Sequence, residues 1–265
     1  MNCARPVIVH SKYGAECAYP CGKCISCRAS KAKEWAQRLK NEQSEWTREG
    51  FLTLTYDDDH IPKLGHLEKG ELSQFFKRLR FHLGDKKIKY FACGEYGSQT
   101  WRPHYHAIVF GIDSRDMDAV LKAWKKGERV SLDPVLPGGI EYVTGYVRKK
   151  IDIKYGDYKR RGLPLPFQLQ SQGLGLAWAE KNKHLLESNG LTREGKNISI
   201  PRYYMRKLNL NGEAMYTVLD KDITERNQIL IDSGVDIQQI RYVLLKRQAQ
   251  GAVNHLAKLA LYGHE

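Results

Sequence analysis

Apolar residues recur at helical spacing in some stretches of this chain and in alternating or continuous runs in others, and the two periods divide it into elements. Residues 69–83 carry Leu72, Phe75, Phe76, Leu79 and Leu83 at helical spacing with Lys77, Arg78 and Arg80 outside, which predicts an amphipathic helix. Residues 28–48, with Trp35, Leu39 and Trp46 as an apolar side among charges, predict another helix stopped by Gly50. Phe51 to Tyr56 is rich in β-formers and ends at Asp57-Asp58-Asp59, so it reads as a strand. Residues 88–93 and 104–111 predict two more strands joined by an elaborated hairpin. A helix over 113–126 follows, capped by Asp113 or Ser114, then a fourth strand over 129–135. Pro137-Gly138-Gly139 turns into a last helix at about 140–153. The order β-α-β-β-α-β-α predicts an α+β fold, ferredoxin-like, with a central antiparallel sheet and helices on one face.

This core would occupy residues 50–153, preceded by a cysteine-rich segment and helix (1–49) and followed by a basic extension (154–265). The extension opens with a Pro/Gly-punctuated basic stretch containing Lys159, Arg160 and Arg161, and 171–188 shows only weak periodicity. Residues 198–207 interleave Tyr203 and Tyr204 with Arg202, Arg206 and Lys207. That mixture suits stacking on bases while neutralising phosphates, and suits an ordinary exposed strand nearly as well. Residues 220–261 contain two helical stretches without assigned chemistry.

Charge changes the picture. The 265 residues carry a formal net charge of +13, which favours a polyanionic partner. No apolar run approaches the roughly 18 residues of a spanning helix, and the start lacks a basic region followed by an apolar one, so a soluble, unsecreted protein is expected. Five of the six cysteines fall within the first 27 residues, where a disulfide framework is not expected in an unsecreted chain. Cys21, Cys24 and Cys27 have the spacing of a metal knuckle, with a fourth thiolate from Cys3 or Cys17, and predict a structural zinc or similar soft-ligand metal. Cys93 reads as a small core residue.

The catalytic candidates lie between these regions. His104 and His106 flank one residue at the start of an apolar strand, so both imidazoles point to one face. Glu95 ends the preceding strand, and a hairpin brings its carboxylate beside them. Two nitrogens and one oxygen with open positions suit Mn²⁺ or Mg²⁺ in catalytic use. Tyr142 and Tyr146, four apart on a predicted helix, project towards one point. Metal plus tyrosine is the equipment for breaking a DNA strand by transesterification. Lys149, one turn beyond Tyr146, is placed to stabilise developing charge, which favours Tyr146 as the first nucleophile. Arg102 and Lys150 join Arg202, Tyr203, Tyr204 and Arg206 as candidate nucleic-acid contacts.

Phe51 to Tyr56, Gly94-Glu95-Tyr96-Gly97, Arg102 to His106 and the Tyr142/Tyr146/Lys149 set occur in an order that resembles the HUH endonucleases of rolling-circle replication. With the Pro20 to Cys27 and Ile200 to Tyr204 segments, the chain is similar to the replication initiation proteins of microviruses, particularly the gokushovirus branch. The resemblance implies a viral nickase acting in the cytoplasm of an infected bacterium on single-stranded origin DNA and the duplex replicative form. It implies a 5′-phosphotyrosine link, later rejoining into a circle, and reliance on host helicase and polymerase. Glu95, His104 and His106 would be its metal ligands, Tyr142 and Tyr146 its nucleophiles, and Lys149 the assisting lysine. A related single-tyrosine transposase, or a non-catalytic zinc-stabilised DNA-binding or packaging protein, are the alternatives. The latter leaves the histidine, carboxylate and tyrosine set without a role.

Overall fold

A computed structural model describes residues 3, 7–10, 16–127, 129–149, 155–188, 190–193, 196–210 and 232. The chain divides into two compact units, one of Met1–Ser30 with Ala179–Glu265, the other of Lys31–Trp178. The expected helices within 220–261, and Lys150 with the end of the tyrosine helix after residue 149, lie outside the described residues.

In chain order, β1 (Val7–His10) pairs antiparallel with β2 (Glu16–Tyr19), and α1 (Ile25–Gln43) follows. Then come β3 (Glu49–Thr55), α2 (Lys69–Leu83), β4 (Lys89–Tyr96) and β5 (Pro103–Phe110). A 3-10 turn at Ser114–Asp116 leads into α3 (Met117–Trp124), β6 (Val130–Asp133), α4 (Gly139–Lys149), α5 (Tyr155–Arg160) and β7 (Phe167–Gln170). The chain continues through α6 (Leu176–Lys181), α7 (Lys183–Ser188), the hairpin β8 (Leu191–Arg193) and β9 (Lys196–Ile198), and α8 (Arg202–Leu208).

The fold is mixed α+β around a five-stranded antiparallel sheet of order β6-β3-β5-β4-β7. Strand alternation sorts its two faces. Leu52, Leu54, Tyr90, Ala92, Tyr105, Ala107 and Val109 pack against Leu72, Phe75, Phe76 and Leu79 of α2 and Val120, Ala123 and Trp124 of α3. Phe91, Cys93, Ile108 and Phe110 turn the other way, onto Ala32, Trp35 and Leu39 of α1 and Ile140, Val143 and Tyr146 of α4. Helices therefore cover both faces, not one as the sequence suggested. The cause is the central strands themselves: β4 and β5 are nearly continuous in buried residues, so neither face can be left to water. Each fully buried large side chain contributes about 1.5–3 kcal/mol relative to exposure, and both layers hold several.

Other boundaries also shift. Gly50 does not stop α1, which ends at Gln43; it lies inside β3, where a Cβ would strike the Leu132 side chain of β6. The helix read over 113–126 is a 3-10 turn followed by α3, with Asp113 forming a capping box. β7 was not foreseen, because its four residues sit behind Pro164 and Pro166 and pair only along one edge of β4. The Cys93 side chain is buried in the sheet core, as expected.

Candidate functional site

The register of the β4–β5 hairpin places Glu95 directly opposite His104 and Cys93 opposite His106. Period-two alternation puts all four side chains on the face covered by α1 and α4. Glu95 Oε1 lies 3.1 Å from His104 Nε2 and 3.4 Å from His106 Nε2. The ligand atoms of the three residues all fall within 4.8 Å of one another.

The outer nitrogens of the two rings fix what the inner ones present. His104 Nδ1 lies 3.1 Å from the Arg102 carbonyl oxygen, which can only accept, so Nδ1 carries the proton. A neutral His104 then turns a lone pair towards the Glu95 carboxylate, two acceptors 3.1 Å apart. Such a pair needs a proton or a metal cation between its members. On the other side, His106 Nδ1 lies 3.1 Å from Thr53 Oγ1 of β3, a hydroxyl able to donate or accept. This backing is what histidine ligands generally have. The donor set therefore fits a divalent cation.

Burial pushes the Glu95 carboxyl up, but hydrogen bonds from His104, His106 and Tyr146 outweigh it and hold the group at about 2. Glu95 is thus a permanent negative charge at neutral pH. That charge reaches the phenols.

α4 is held on the sheet by Ile140, Val143 and Tyr146, three and six positions along one face. Tyr142 lies a turn before Tyr146, and their rings meet edge-on with centroids 5.0 Å apart. Both contact His106: Tyr146 stacks on its ring at 6.0 Å, and Tyr142 meets it edge-on at 5.6 Å. The two differ sharply in access, Tyr142 being 49% exposed and Tyr146 only 3%. Burial, then the Glu95 charge and hydrogen bonds with Glu95 and Tyr142, drive the Tyr146 phenol far above the usual range. Tyr142 is also pushed up, by burial first and by Glu95 and Cys93, against a lowering hydrogen bond with Tyr146. Lys149 is the last residue of α4, one turn beyond Tyr146; its side chain lies outside the described set.

A second group of donors forms in the amino-terminal unit. The sulfurs of Cys3, Cys21, Cys24 and Cys27 all lie within 4.8 Å of one another. Cys3 and Cys24 are 3.8 Å apart, and Cys21 and Cys27 4.0 Å. Tetrahedral coordination with bonds of about 2.3 Å would place sulfurs about 3.8 Å apart, so the four can hold a metal ion. The fourth thiol of the knuckle is thus Cys3; the Cys17 side chain lies outside the described set. Backbone N–H groups of Cys24 and Lys23 lower the Cys21 thiol, while burial and the neighbouring Cys24 push Cys27 up to about 12.

The nucleic-acid candidates fare differently. Arg102 turns inward, donating to Asp58 Oδ1 and to the Tyr56 carbonyl at 2.6 Å each, so it ties the end of β3 to the hairpin tip. Arg202, Tyr203, Tyr204 and Arg206 lie on α8, a helix, not an exposed strand. Tyr204 is fully buried and offers no face to a base, whereas Arg202 and Arg206 are exposed and Tyr203 is partly so. Thr53 and Phe51 belong beside the site and were not singled out from sequence. Phe51 packs on His106 at 5.6 Å and on Tyr142 at 6.0 Å. Their signal was present: in β3 the alternation sets Phe51, Thr53 and Thr55 apart from buried Leu52 and Leu54.

Residues 49–151 match a protein-family model that describes replication-associated proteins of the ORF2 type. The chain is 30% identical to Replication-associated protein VP4 of Bdellovibrio phage phiMH2K, over 77% of this chain and 76% of that protein. It is 30% identical to Replication-associated protein ORF2 of Spiroplasma virus 4, over 76% and 70% respectively. Replication-associated protein ORF4 of Chlamydia phage 1 is 32% identical over 71% of this chain and 54% of its own length. No solved structure matches the chain. Among the described residues, no helix is long and apolar enough to cross a membrane.

Proposed function

The chain belongs to the family of phage replication-associated proteins, and on that footing we propose that it starts rolling-circle replication by nicking one DNA strand through tyrosine transesterification. The observation that carries this reading is the packing of Tyr142 and Tyr146 against the His106 ring of the Glu95/His104/His106 group. Candidate nucleophiles and cation-holding donors meet at one place, which a phosphoryl transfer to tyrosine requires. A manganese or magnesium ion held by Glu95, His104 and His106 supplies Lewis acidity at the scissile phosphate when bound.

The chain's own residues supply the rest. The phenol oxygen forms a bond to phosphorus, the bond from phosphorus to the 3′ oxygen breaks, and the phenol's proton ends on that 3′ oxygen. The protein keeps the 5′ phosphate, and the 3′-hydroxyl is left for host polymerase while host helicase opens the duplex replicative form in the infected bacterium. Rejoining reverses the bonds: a 3′-hydroxyl attacks the phosphotyrosine, and the phenol is regenerated. Lys149 is assigned to stabilise charge on the transferring phosphate, one turn from Tyr146.

Half-exposed Tyr142 is the phenol that a DNA strand reaches first, and buried Tyr146 serves the second cleavage. This order reverses the one favoured by the sequence, where Lys149 alone ranked the pair. The four-cysteine group is assigned a structural zinc that holds the amino-terminal segment. The test is incubation with single-stranded origin DNA and Mn²⁺, followed by a denaturing gel. A covalent protein–DNA band supports the reading. Binding with neither cleavage nor adduct overturns it in favour of a non-catalytic DNA-binding protein.

A further inference from the structure

The tip of the β4–β5 hairpin, residues 97–102, carries a cation that nothing above employs. Trp101 takes a left-handed backbone conformation, φ +55°, closed by its own N–H to the Gly97 carbonyl. Its ring meets Tyr158 of α5 edge-on at 5.7 Å and lies 6.5 Å from Tyr96. Tyr158 is buried against the sheet and anchors α5 there. Arg161 follows Tyr158 by three residues, one turn on the same side. Its guanidinium carbon sits 4.4 Å above the Trp101 ring. A guanidinium laid on an aromatic face keeps its in-plane N–H donors directed outward, in the fork that matches a phosphate.

Two further observations point the same way. Lys159, Arg160 and Arg161 are all exposed, and Arg160 is paired with Asp157, while no carboxylate among the described residues pairs with Arg161. Trp101 stands three residues before His104, at most about 11 Å of extended chain, and Tyr96 adjoins Glu95. An oriented, unneutralised cation therefore lies beside the strand ends that carry the donor set.

We propose that Arg161, held flat on Trp101, seats a backbone phosphate of single-stranded DNA flanking the cleaved bond. The proposal rests on the nicking reading of the site, and names where the strand leaves it. Arg161 is a positioning residue: it fixes the strand and does not touch the reacting atoms.

The test is fluorescence anisotropy of labelled oligothymidylate, without added divalent metal, over a series of salt concentrations. Arg161→Gln is expected to weaken binding roughly fivefold and to reduce the salt slope by about 1. Arg161→Lys keeps the charge but not the planar fork, so it restores the slope with incomplete recovery of affinity. Trp101→Phe retains a ring beneath the guanidinium and is expected to bind like the native protein. Native affinity and slope in Arg161→Gln would overturn the phosphate seat. Adduct formation by the native protein, together with unaltered binding by Arg161→Gln, overturns the seat alone. Arg161-dependent binding by a native protein that forms no adduct with Mn²⁺ overturns the nicking reading and upholds the seat.

Discussion

Thr53 Oγ1 stands 3.1 Å from His106 Nδ1, so the imidazole is braced from the neighbouring strand on the side away from Glu95. Because the hydroxyl can reverse its role, it serves His106 both when Nε2 carries a proton and when Nε2 offers a lone pair to a cation. Thr53→Val keeps shape and strand propensity but removes the brace. We expect Mn²⁺ affinity to fall about 10-fold to 100-fold with the fold intact. Calorimetric titration with circular dichroism checks this; native affinity in the variant would show that His106 is oriented by its ring packing alone.

The unequal access of Tyr142 and Tyr146 separates their variants. Tyr142→Phe is expected to abolish most first-strand adduct, and Tyr146→Phe to keep that adduct while losing circle release. The double variant forms none, although phenylalanine preserves the packing of α4. Peptide mapping of the trapped phosphotyrosine decides the order. An adduct confined to Tyr146 in the native protein would reverse it.

Coordination by Cys3, Cys21, Cys24 and Cys27 predicts about one zinc per chain by elemental analysis. Cys3→Ser should lose it, whereas Cys17→Ser should retain it. Neither change is expected to alter Mn²⁺ uptake at Glu95, His104 and His106. Equal zinc loss in both variants would show that Cys17 is also a ligand.

Acid stability should depend on Asp113. Hydrogen bonds from Arg115 and Arg48 hold its carboxyl well below its ordinary 3.8. Arg48 grips it with two contacts of 2.8 Å and also reaches Asp116. A carboxyl depressed in the folded state contributes stability that is fully present above the unfolded value and lost as pH falls through the folded one. The stability gap between native protein and Asp113→Asn should therefore be constant near neutrality and shrink below about pH 3.8. Denaturant melts across that range provide the check, and a gap independent of pH would exclude the pair as its source.

The sequence was most readable where period and chemistry agreed. α2 emerges at Lys69–Leu83, its predicted bounds, because five apolar residues at helical spacing and Gly84 at its end leave no competing pattern. The donor set was legible because a histidine at alternate positions and a carboxylate across a hairpin need only strand pairing to converge. Thr53 was missed because its contact with His106 spans 53 residues. The exposure of Tyr142 and burial of Tyr146 depend on how α4 settles on β4 and β5, which spacing along one helix cannot express. Tyr204 illustrates the same limit: cations around an aromatic residue do not say whether its ring is outside.

Glu95 and His104 face each other across a ladder whose opposite side is the largest part of the core. A slip of one residue between β4 and β5 would turn Tyr105, Ala107 and Val109 away from α2 and α3 while it separated the donors. The apolar layer thus proofreads the cation site. Misalignment severe enough to scatter the ligands also unmakes the core, so the sheet cannot lock into a folded but misregistered protein. Alignment of the donors is inherited from folding itself, with no later assembly step left to go wrong.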